Sequence, residues 1–173
     1  AAEEGMKRGR KGRNRRIMED MRRWSVGSPV SGEVTACEEG EHSTIVIHPE
    51  GDKLYAPAAG KITRLFPMGN AFMFITEFGT ELYIQVGDTK DELAVRHYRP
   101  RIVQNEVVAK GKLLLEFDRE GLEAEGASAE VSICVESCAY GGAVQMMAGE
   151  RVKTGEEILQ VREPFCAKAA YQM

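Results

Sequence analysis

The sequence predicts an all-β chain whose short strands pack into one sandwich or barrel. Three observations support this class: eighteen glycines against six prolines, apolar runs of four to seven residues, and a Gly, Pro or Asp at each break between runs. Runs of this length bounded by turn residues are typical of strands. The chain of 173 residues is 43% hydrophobic and 29% charged, which is enough apolar material for a sizeable core.

The first six predicted strands follow one another between residues 28 and 87. They are separated by turns that contain Pro-Glu-Gly-Asp, Ala-Ala-Gly and Phe-Gly-Thr. In order, one strand lies in SPVSGEVTAC, three lie in STIVIHPEGDKLYAPAAGKITRLFP and two lie in NAFMFITEFGTELYIQVG.

The second half of the chain interrupts the strands with one short predicted helix. Within residues 105–127 an apolar run ends at Asp118, a suitable N-cap for that helix. AEVSICVES then predicts one strand, and ERVKTGEEILQVRE predicts a two-strand unit around Thr154-Gly155.

A weak internal duplication supports the sandwich or barrel. VVAKGKLLLEF and RVKTGEEILQV both place a polar turn containing Gly between apolar strand residues. Two similar β motifs packed into one domain would produce such a repeat.

The charges divide the chain into three parts. Residues 1–24 hold nine basic and four acidic side chains, whereas the remainder holds fourteen basic and twenty-three acidic ones. We therefore expect an amino-terminal extension over residues 1–25, a folded domain over 26–163 and a carboxy-terminal extension over 164–173.

The basic extension has two open interpretations. It is a flexible tail with two frayed helical turns from Ile17 to Trp24, or residues 7–24 make a weak electrostatic contact with anionic lipid. No aromatic side chains interleave with the basic ones, so specific nucleic-acid binding is not expected.

Compartment is predicted from three features. The sequence has no run of eighteen apolar residues and no apolar stretch near its amino end of the kind a signal peptide needs. Its four cysteines, Cys37, Cys134, Cys138 and Cys166, form no CxxC pair. We expect free, reduced thiols and a cytoplasmic location.

Five ordered segments resemble the glucose-type enzyme IIA domain of the bacterial sugar phosphotransferase system. They are SPVSGEV, IVIHPEGDKLYAPAAGKITRLF, NAFMFITEFGTELYIQVG, VVAKGKLLLEFD and ERVKTGEEILQV. The resemblance covers residues 26–162 and implies an antiparallel β-sandwich or barrel of the duplicated hybrid-motif type. It also implies a shallow apolar depression in which one histidine carries a phosphoryl group and a second steadies it, with no cofactor and no metal.

Both histidine positions of that family hold amides in this sequence. The acceptor position falls in Gly69-Asn70-Ala71-Phe72, and the second falls in Tyr83-Ile84-Gln85-Val86-Gly87. A neutral imidazole nitrogen is a nucleophile near neutral pH, whereas an amide nitrogen is not because its lone pair is delocalised. Asn70 and Gln85 keep hydrogen-bonding capacity. Three interpretations stay open: drifted positions in an inactive pocket, part of a non-covalent partner site, or a misplaced register that hides a live acceptor.

The partner site implied by the resemblance lies around these amides. Its predicted residues are Asn70, Phe72, Phe74, Tyr83, Gln85 and Val86, with alternation of strand faces leaving open which of the apolar ones are core. The implied partners are the histidine phosphocarrier protein, a IIB domain, or a regulated transporter or enzyme. The stretch between Glu38 and Ser43 is shorter than in the family, which puts binding of the usual phosphocarrier in doubt.

The preferred expectation is a regulatory or partner-binding protein of sugar uptake that does not carry a phosphoryl group and is not an enzyme at this site. The alternative is an active phosphoryl carrier with an unrecognised acceptor. His48 is expected at an exposed strand end, His97 in a solvated basic loop and His42 in an acidic turn. None of the three occupies a family active-site position.

Two other classes fit the sequence less well. LYAPAAGKI and the His48 to Asp52 spacing resemble a LytM-type zinc endopeptidase, but a catalytic zinc needs a third protein ligand and no histidine follows near residues 82–85. A lipoyl or biotinyl carrier needs a lysine at a hairpin tip between small apolar residues, and Lys153 does not lie in such a tip.

Overall fold

The computed structural model describes residues 21–88 and 92–164. These residues form fourteen strands, one short α-helix and two 3₁₀ turns. The strands are β1 (Met21–Gly27), β2 (Gly32–Glu38), β3 (Thr44–Pro49), β4 (Lys53–Tyr55), β5 (Gly60–Leu65), β6 (Ala71–Thr76), β7 (Glu81–Val86), β8 (Tyr98–Pro100), β9 (Val107–Val108), β10 (Leu113–Phe117), β11 (Val131–Ser137), β12 (Ala143–Met146), β13 (Arg151–Val152) and β14 (Glu157–Pro164). The helix is α1 (Arg119–Ala124), and the 3₁₀ turns are Glu92–His97 and Ala139–Gly141.

Three antiparallel sheets share one core. The largest has eight strands in the order β13-β2-β3-β11-β7-β6-β5-β9, and two three-stranded sheets have the orders β1-β14-β12 and β4-β10-β8. The predicted all-β antiparallel sandwich is confirmed. Six strands predicted between residues 28 and 87 are present as β2 to β7.

The central strands of the large sheet alternate between a buried and a partly exposed face. Leu82 and Ile84 of β7 are fully buried, as is Ile133 of β11. The intervening side chains of β7, Tyr83 and Gln85, are half-buried. This period-two pattern gives the large sheet an outer face that lies on the opposite side from the core.

The internal duplication is present as two equivalent turns. Gly111 N donates to Ala56 O at 2.9 Å in one half, and Gly155 N donates to Ser28 O at 2.8 Å in the other. Both glycines have φ near +87°, a left-handed conformation that glycine adopts without strain. The segments SPVSGEV and APAAGKI that receive these turns therefore occupy matching places in the two halves.

The helical turns predicted up to Trp24 are wrong for residues 21–24. These residues lie in β1, which pairs along its whole length with β14. The ring of Trp24 stacks on Phe78 at 5.1 Å, and its Nε1 donates to Oε2 of Glu163 at 3.3 Å. Cross-strand pairing with a distant segment outweighs the local helical pattern, so residues 21–25 belong to the sheet rather than to the extension. Predictions for residues 1–20 and 165–173, including Cys166, fall outside the described residues.

The unit around Thr154-Gly155 contains two strands, but they do not pair with each other. β13 pairs with β2, whereas β14 pairs with β1 and β12. The turn therefore carries the chain from one sheet to another. The predicted helix after Asp118 is confirmed as α1, with Oδ1 of Asp118 accepting from Gly121 N at 3.0 Å.

No helix within residues 21–88 and 92–164 is long and apolar enough to cross a membrane.

Candidate functional site

The two amide positions lie side by side on neighbouring strands. Gln85 of β7 pairs with Ala71 of β6, and Asn70 immediately precedes Ala71. Val86 N donates to Asn70 O at 2.8 Å, which extends the ladder by one residue. The structure therefore brings Asn70 and Gln85 together, as the sequence predicts.

The oxygen and the nitrogen of the Gln85 side-chain amide each form a hydrogen bond. One partner is in β7, and the other is Gly87, directly after β7. The Tyr83 hydroxyl donates to Gln85 Oε1 at 2.7 Å. Gln85 Nε2 donates to Gly87 O at 2.6 Å. A carbonyl oxygen accepts only, so the amide nitrogen must face Gly87. The side chain is thus held in one orientation along the outer face.

Asn70 points its amide nitrogen toward the backbone of β7. The residue is 7% exposed, and its Nδ2 donates to Val86 O at 3.3 Å. The same carbonyl accepts from the Tyr98 hydroxyl at 3.1 Å. Tyr98 is itself 5% exposed, and burial followed by the charge of Asp88 raises its pKa to about 12. Tyr98 therefore stays a neutral donor that closes the floor of the site beside Asn70.

Two aromatic side chains and one cationic side chain lie next to Gln85. The rings of Tyr83 and Phe66 meet edge to face with centroids 5.7 Å apart. The Arg64 guanidinium carbon lies 4.6 Å from the Phe66 centroid, a cation–π distance. Burial and the charge of Glu136 raise the pKa of Tyr83. We call Arg64, Phe66, Tyr83 and Gln85 the Gln85 face.

Three predicted partner-binding residues lie in the core. Phe72 is 1% exposed, and Phe74 and Val86 are fully buried. Because β6 and β7 alternate their faces, these side chains point away from Tyr83 and Gln85. They support the sheet from beneath and offer no surface to a partner.

Three residues of the site were not predicted from the sequence: Arg64, Phe66 and Tyr98. Tyr98 directly follows His97 in the basic segment 96–101. Its signal was a lone aromatic residue among charged ones. Only the folded arrangement shows that its hydroxyl reaches Val86 O.

The prediction of a solvated loop around His97 is wrong. His97 is 9% exposed and lies between two carboxylates. Its Nδ1 is 3.5 Å from Asp118 Oδ2, and its Nε2 is 3.1 Å from Glu125 Oε2. Arg96 also pairs with Glu125. The helix α1, which places both carboxylates, encloses the ring and flanks each nitrogen with negative charge, surroundings that disfavour a phosphoryl group.

The remaining histidines, His42 and His48, are more accessible than His97. The side chain of His48 is 45% exposed and its Nε2 lies 3.9 Å from Glu123 Oε1. His42 is exposed in the turn between β2 and β3. Asp52, its Oδ1 bonded to Arg119 N at 3.2 Å, is directed to a helix rather than toward a ligand set with His48. Among the described residues, no group of three or more His, Cys, Asp or Glu is placed to hold a metal ion.

The thiols that the structure describes are unpaired. Cys37 is exposed, and Cys134 and Cys138 are partly buried. Burial is the main cause that raises the pKa of both Cys134 and Cys138. These two side chains are therefore neutral near pH 7 and poor nucleophiles.

Known proteins are similar to this chain in sequence and in fold. The profile of the family described as phosphoenolpyruvate-dependent sugar phosphotransferase system, EIIA 1, matches residues 43–140. The beta-glucoside-specific EIIBCA component of Halalkalibacterium halodurans is 27% identical over 145 residues, which cover 79% of this chain and 23% of that protein. The chain thus spans less than a quarter of that relative.

Two further similar proteins are matched over most of their own length. The glucose-specific EIIA component of Haemophilus influenzae is 27% identical over 113 residues, covering 62% of this chain and 68% of that protein. The solved glucose permease IIA from Mycoplasma capricolum superposes with a TM-score of 0.69 at 20% identity, covering 80% of this chain and 96% of that chain. The second likeness shows a shared fold.

Proposed function

Since this chain belongs to the EIIA 1 family of the phosphoenolpyruvate-dependent sugar phosphotransferase system, we propose that it serves sugar uptake by binding a partner at the Gln85 face without carrying a phosphoryl group there. The observation that carries the proposal is the state of the two amides. Each donates a hydrogen bond to a backbone carbonyl of its own sheet, and neither is a nucleophile.

The chemistry of the site supports recognition rather than transfer. A phosphoryl carrier needs an atom that attacks phosphorus and leaves again, which an imidazole nitrogen can do at neutral pH. An amide supplies donors and an acceptor only. The half-buried aromatic residues Phe66 and Tyr83, with Arg64 beside them, are the residue types that are enriched where proteins contact one another.

The names of similar proteins suggest which partners to test. Several similar proteins are named as EIIBCA or EIICBA components, in which an EIIA part is joined to B and C parts. We therefore propose a IIB domain or a transporter as the first partner to test, with the histidine phosphocarrier protein as the second. The domain would act in the cytoplasm, where unpaired thiols such as Cys37 stay reduced.

Intact-mass spectrometry tests the claim about phosphorylation. The full chain is incubated with phosphoenolpyruvate, enzyme I and the phosphocarrier protein, beside a histidine-containing glucose-type EIIA as positive control. We expect no acid-labile phosphoryl adduct on this chain. An adduct would overturn the claim, and its location on His42 or His48 would identify an active carrier with a different acceptor.

Binding measurements test the claim about the partner. Isothermal titration with a IIB domain from the same organism should give a weaker complex for Tyr83→Ala and Gln85→Ala than for the unaltered chain. Lys153→Ala is the matched control, because Lys153 is exposed in the turn between β13 and β14. Equal affinities for all variants would place the interface elsewhere.

A further inference from the structure

The strand pairings place side chains in cross-strand rows on the outer face of the large sheet. Residues that pair directly across an antiparallel ladder share one face. Tyr83 pairs with Met73 of β6 and with Cys134 of β11. Met73 in turn pairs with Arg64 of β5. One row thus crosses four strands, and its side chains are exposed or half-buried.

A second row lies beside the first on the same face. Ile75 of β6 pairs with Lys61 of β5 and with Glu81 of β7. Lys61 also pairs with Val107 of β9, the strand at the edge of the sheet. Val107 is 76% exposed, so this row ends on apolar surface that the described residues leave largely uncovered.

Apolar side chains form the middle of this surface. Met73, Ile75 and Tyr83 are half-buried neighbours on β6 and β7. The ring of Phe66 adjoins them, with its centroid 5.7 Å from that of Tyr83. We call these four residues the apolar band. Contiguous apolar surface with a polar rim is typical of sites where proteins contact one another.

Charges of opposite sign flank the apolar band on its two sides. Lys61 and Arg64 are exposed on β5, and we call them the basic strip. Glu81 of β7 and Glu136 of β11 are exposed toward the other side, and we call them the acidic strip. Burial and then the charge of Glu136 raise the pKa of Tyr83, so this carboxylate lies close to the band.

The two strips are not neutralised within the chain. Among the residues that the structure describes, none of the four side chains takes part in a salt bridge. The Arg64 guanidinium carbon instead lies 4.6 Å from the Phe66 centroid, which holds the charge at the border of the apolar band. Uncompensated charges beside an apolar surface favour an occupant with the opposite pattern of charge.

This order of charges is self-complementary. A two-fold axis parallel to the strands, midway between β6 and β7, lays β6 of one copy over β7 of the other. The same rotation lays β5 over β11, because each lies one strand further from the axis. The basic strip of each copy then meets the acidic strip of the other, and Met73 of one copy lies over Tyr83 of the other. Symmetric dimers need a surface that is complementary to itself in this way.

The size of the surface determines how strong such a contact is. Strands are about 4.8 Å apart and rows about 6.8 Å apart, so five strands and three rows cover about 24 Å by about 20 Å. Face-to-face overlap therefore buries about 1,000 Å² in total, an area typical of weak and transient complexes. The expected dissociation constant lies between about 10 μM and about 1 mM.

We propose that the outer face of the large sheet binds a second copy of this chain in a symmetric, face-to-face dimer, with the basic strip of each copy against the acidic strip of the other. The dimer covers Tyr83 and Gln85, so only the monomer presents the Gln85 face to a partner. Self-association thus regulates access to that face through the concentration of the chain. This masking rests on the proposed function, whereas the dimer itself does not.

Sedimentation velocity of the full chain tests the dimer without any partner. We expect a reversible equilibrium between monomer and dimer. It should shift toward the monomer between about 0.1 M and about 1 M salt, because the screening length falls from about 10 Å to about 3 Å. A chain that stays monomeric at about 1 mM, the weak end of the expected range, would overturn the proposal. Open-ended higher oligomers would also overturn it, because a two-fold contact closes at two copies.

Charge reversal tests which strips face each other. Lys61→Glu/Arg64→Glu and Glu81→Lys/Glu136→Lys should each weaken the dimer at least about tenfold, because like charges then meet across the axis. The quadruple variant exchanges the two strips and keeps the net charge of the unaltered chain. It should associate with itself again and should not associate with the unaltered chain. Unchanged association of either double variant, or a monomeric quadruple variant, contradicts the proposal.

A matched control separates these contacts from net charge. Lys110→Glu/Lys153→Glu changes the net charge as much as Lys61→Glu/Arg64→Glu does, but its two residues are exposed in the turns that follow β9 and β13. This control should form the dimer as the unaltered chain does. If it dissociates to the same extent as the β5 variant, net charge alone governs association and the proposal fails.

Amide chemical shifts during dilution locate the contact. We expect concentration-dependent changes at Met73, Ile75 and Tyr83, and none at the exposed turn residue Gly155. Changes confined to β1 or β12, the edge strands of one smaller sheet, would place the contact elsewhere and overturn the proposal.

Titration with a IIB domain separates the dimer from the proposed function. The apparent affinity for the IIB domain should fall severalfold when the concentration of the chain is raised from well below to well above the dimer dissociation constant, because only the monomer is competent to bind. Equal apparent affinity at all concentrations would overturn the masking of the Gln85 face. A confirmed dimer with no IIB binding at any concentration would reject the proposed function and leave the dimer standing.

Discussion

The Tyr83 hydroxyl donates a 2.7 Å hydrogen bond to Oε1 of Gln85, two residues along the same strand. Residues i and i+2 of a strand share one face, so this contact lies on the outer surface of β7. Gln85 Nε2 in turn donates a hydrogen bond to Gly87 O. A chain of two hydrogen bonds therefore holds the amide of Gln85 in one orientation on the outer face.

The first prediction concerns this pair. Tyr83→Phe removes the donor and should lower the free energy of unfolding by about 0.5 kcal/mol, the lower end for a hydrogen bond because both groups are partly exposed. Urea unfolding of Tyr83→Phe, Gln85→Leu and the double variant gives the coupling free energy. Strictly additive effects of the two changes would show that the hydrogen bond contributes nothing in solution.

The second prediction concerns the restored acceptor. Asn70 is 7% exposed, so Asn70→His inserts a larger ring into a closed place and should cost about 1–3 kcal/mol. Gln85 is half-buried on the outer face, so Gln85→His should cost less. Thermal unfolding of each variant measures the difference. Labelling by the phosphocarrier system is expected only in the double variant, and only if its docking surface remains; equal stability of the two single variants would contradict the assigned burial.

The third prediction uses the internal duplication. A Cβ on Gly32 would lie 1.9 Å from His48 O, and one on Gly60 would lie 2.2 Å from Ile75 O. Gly32→Ala and Gly60→Ala should therefore each destabilise the domain by about 1–3 kcal/mol through backbone displacement. Gly51→Ala meets no atom within 4 Å and serves as the control. A control loss as large as the two others would mean that the close approaches do not exist.

The fourth prediction concerns alkaline pH. The pKa of Tyr98 is raised to about 12 in the folded state from an ordinary value of 10.0. The folded chain thus holds this proton more tightly than the unfolded chain, so the stabilisation is complete below pH 10 and is lost as the pH rises toward 12. Tyr98→Phe should make stability less sensitive to pH in that window. Denaturant midpoints at a series of pH values measure it, and an unchanged slope would contradict the assignment.

The fifth prediction concerns the amino-terminal strand. Trp24→Ala removes the stack on Phe78 and the donor to Glu163, a carboxylate that is 5% exposed. The expected loss is about 2–4 kcal/mol, somewhat below that of a fully buried tryptophan. Arg23→Ala, at the exposed neighbour, should change stability little. If the Trp24→Ala chain were as stable as the unaltered chain, the packing of β1 on the folded domain would be contradicted.

Local patterns were sufficient to predict much of the fold. β5, β6 and β7 were predicted from short apolar runs between turn residues, and α1 from the single N-cap Asp118. These features depend on neighbouring residues, so a sequence displays them directly. The pairing of β1 with β14 joins segments more than a hundred residues apart. No local pattern encodes that contact, and the helical spacing from Ile17 to Trp24 favoured the wrong structure.

Some features of the candidate site also follow from the sequence alone, whereas others depend on the tertiary structure. The loss of a nucleophile at Asn70 and Gln85 follows from residue identity alone, because no fold gives an amide nitrogen the basicity of imidazole. The direction in which each amide points, the burial of Phe72, Phe74 and Val86, and the enclosure of His97 by Asp118 and Glu125 depend on which strands and helix meet in space. The sequence by itself determined that these two positions carry hydrogen-bonding amides and no nucleophilic side chain. Only tertiary packing decided which side chains form its surface, because burial is a property of the assembled sheets.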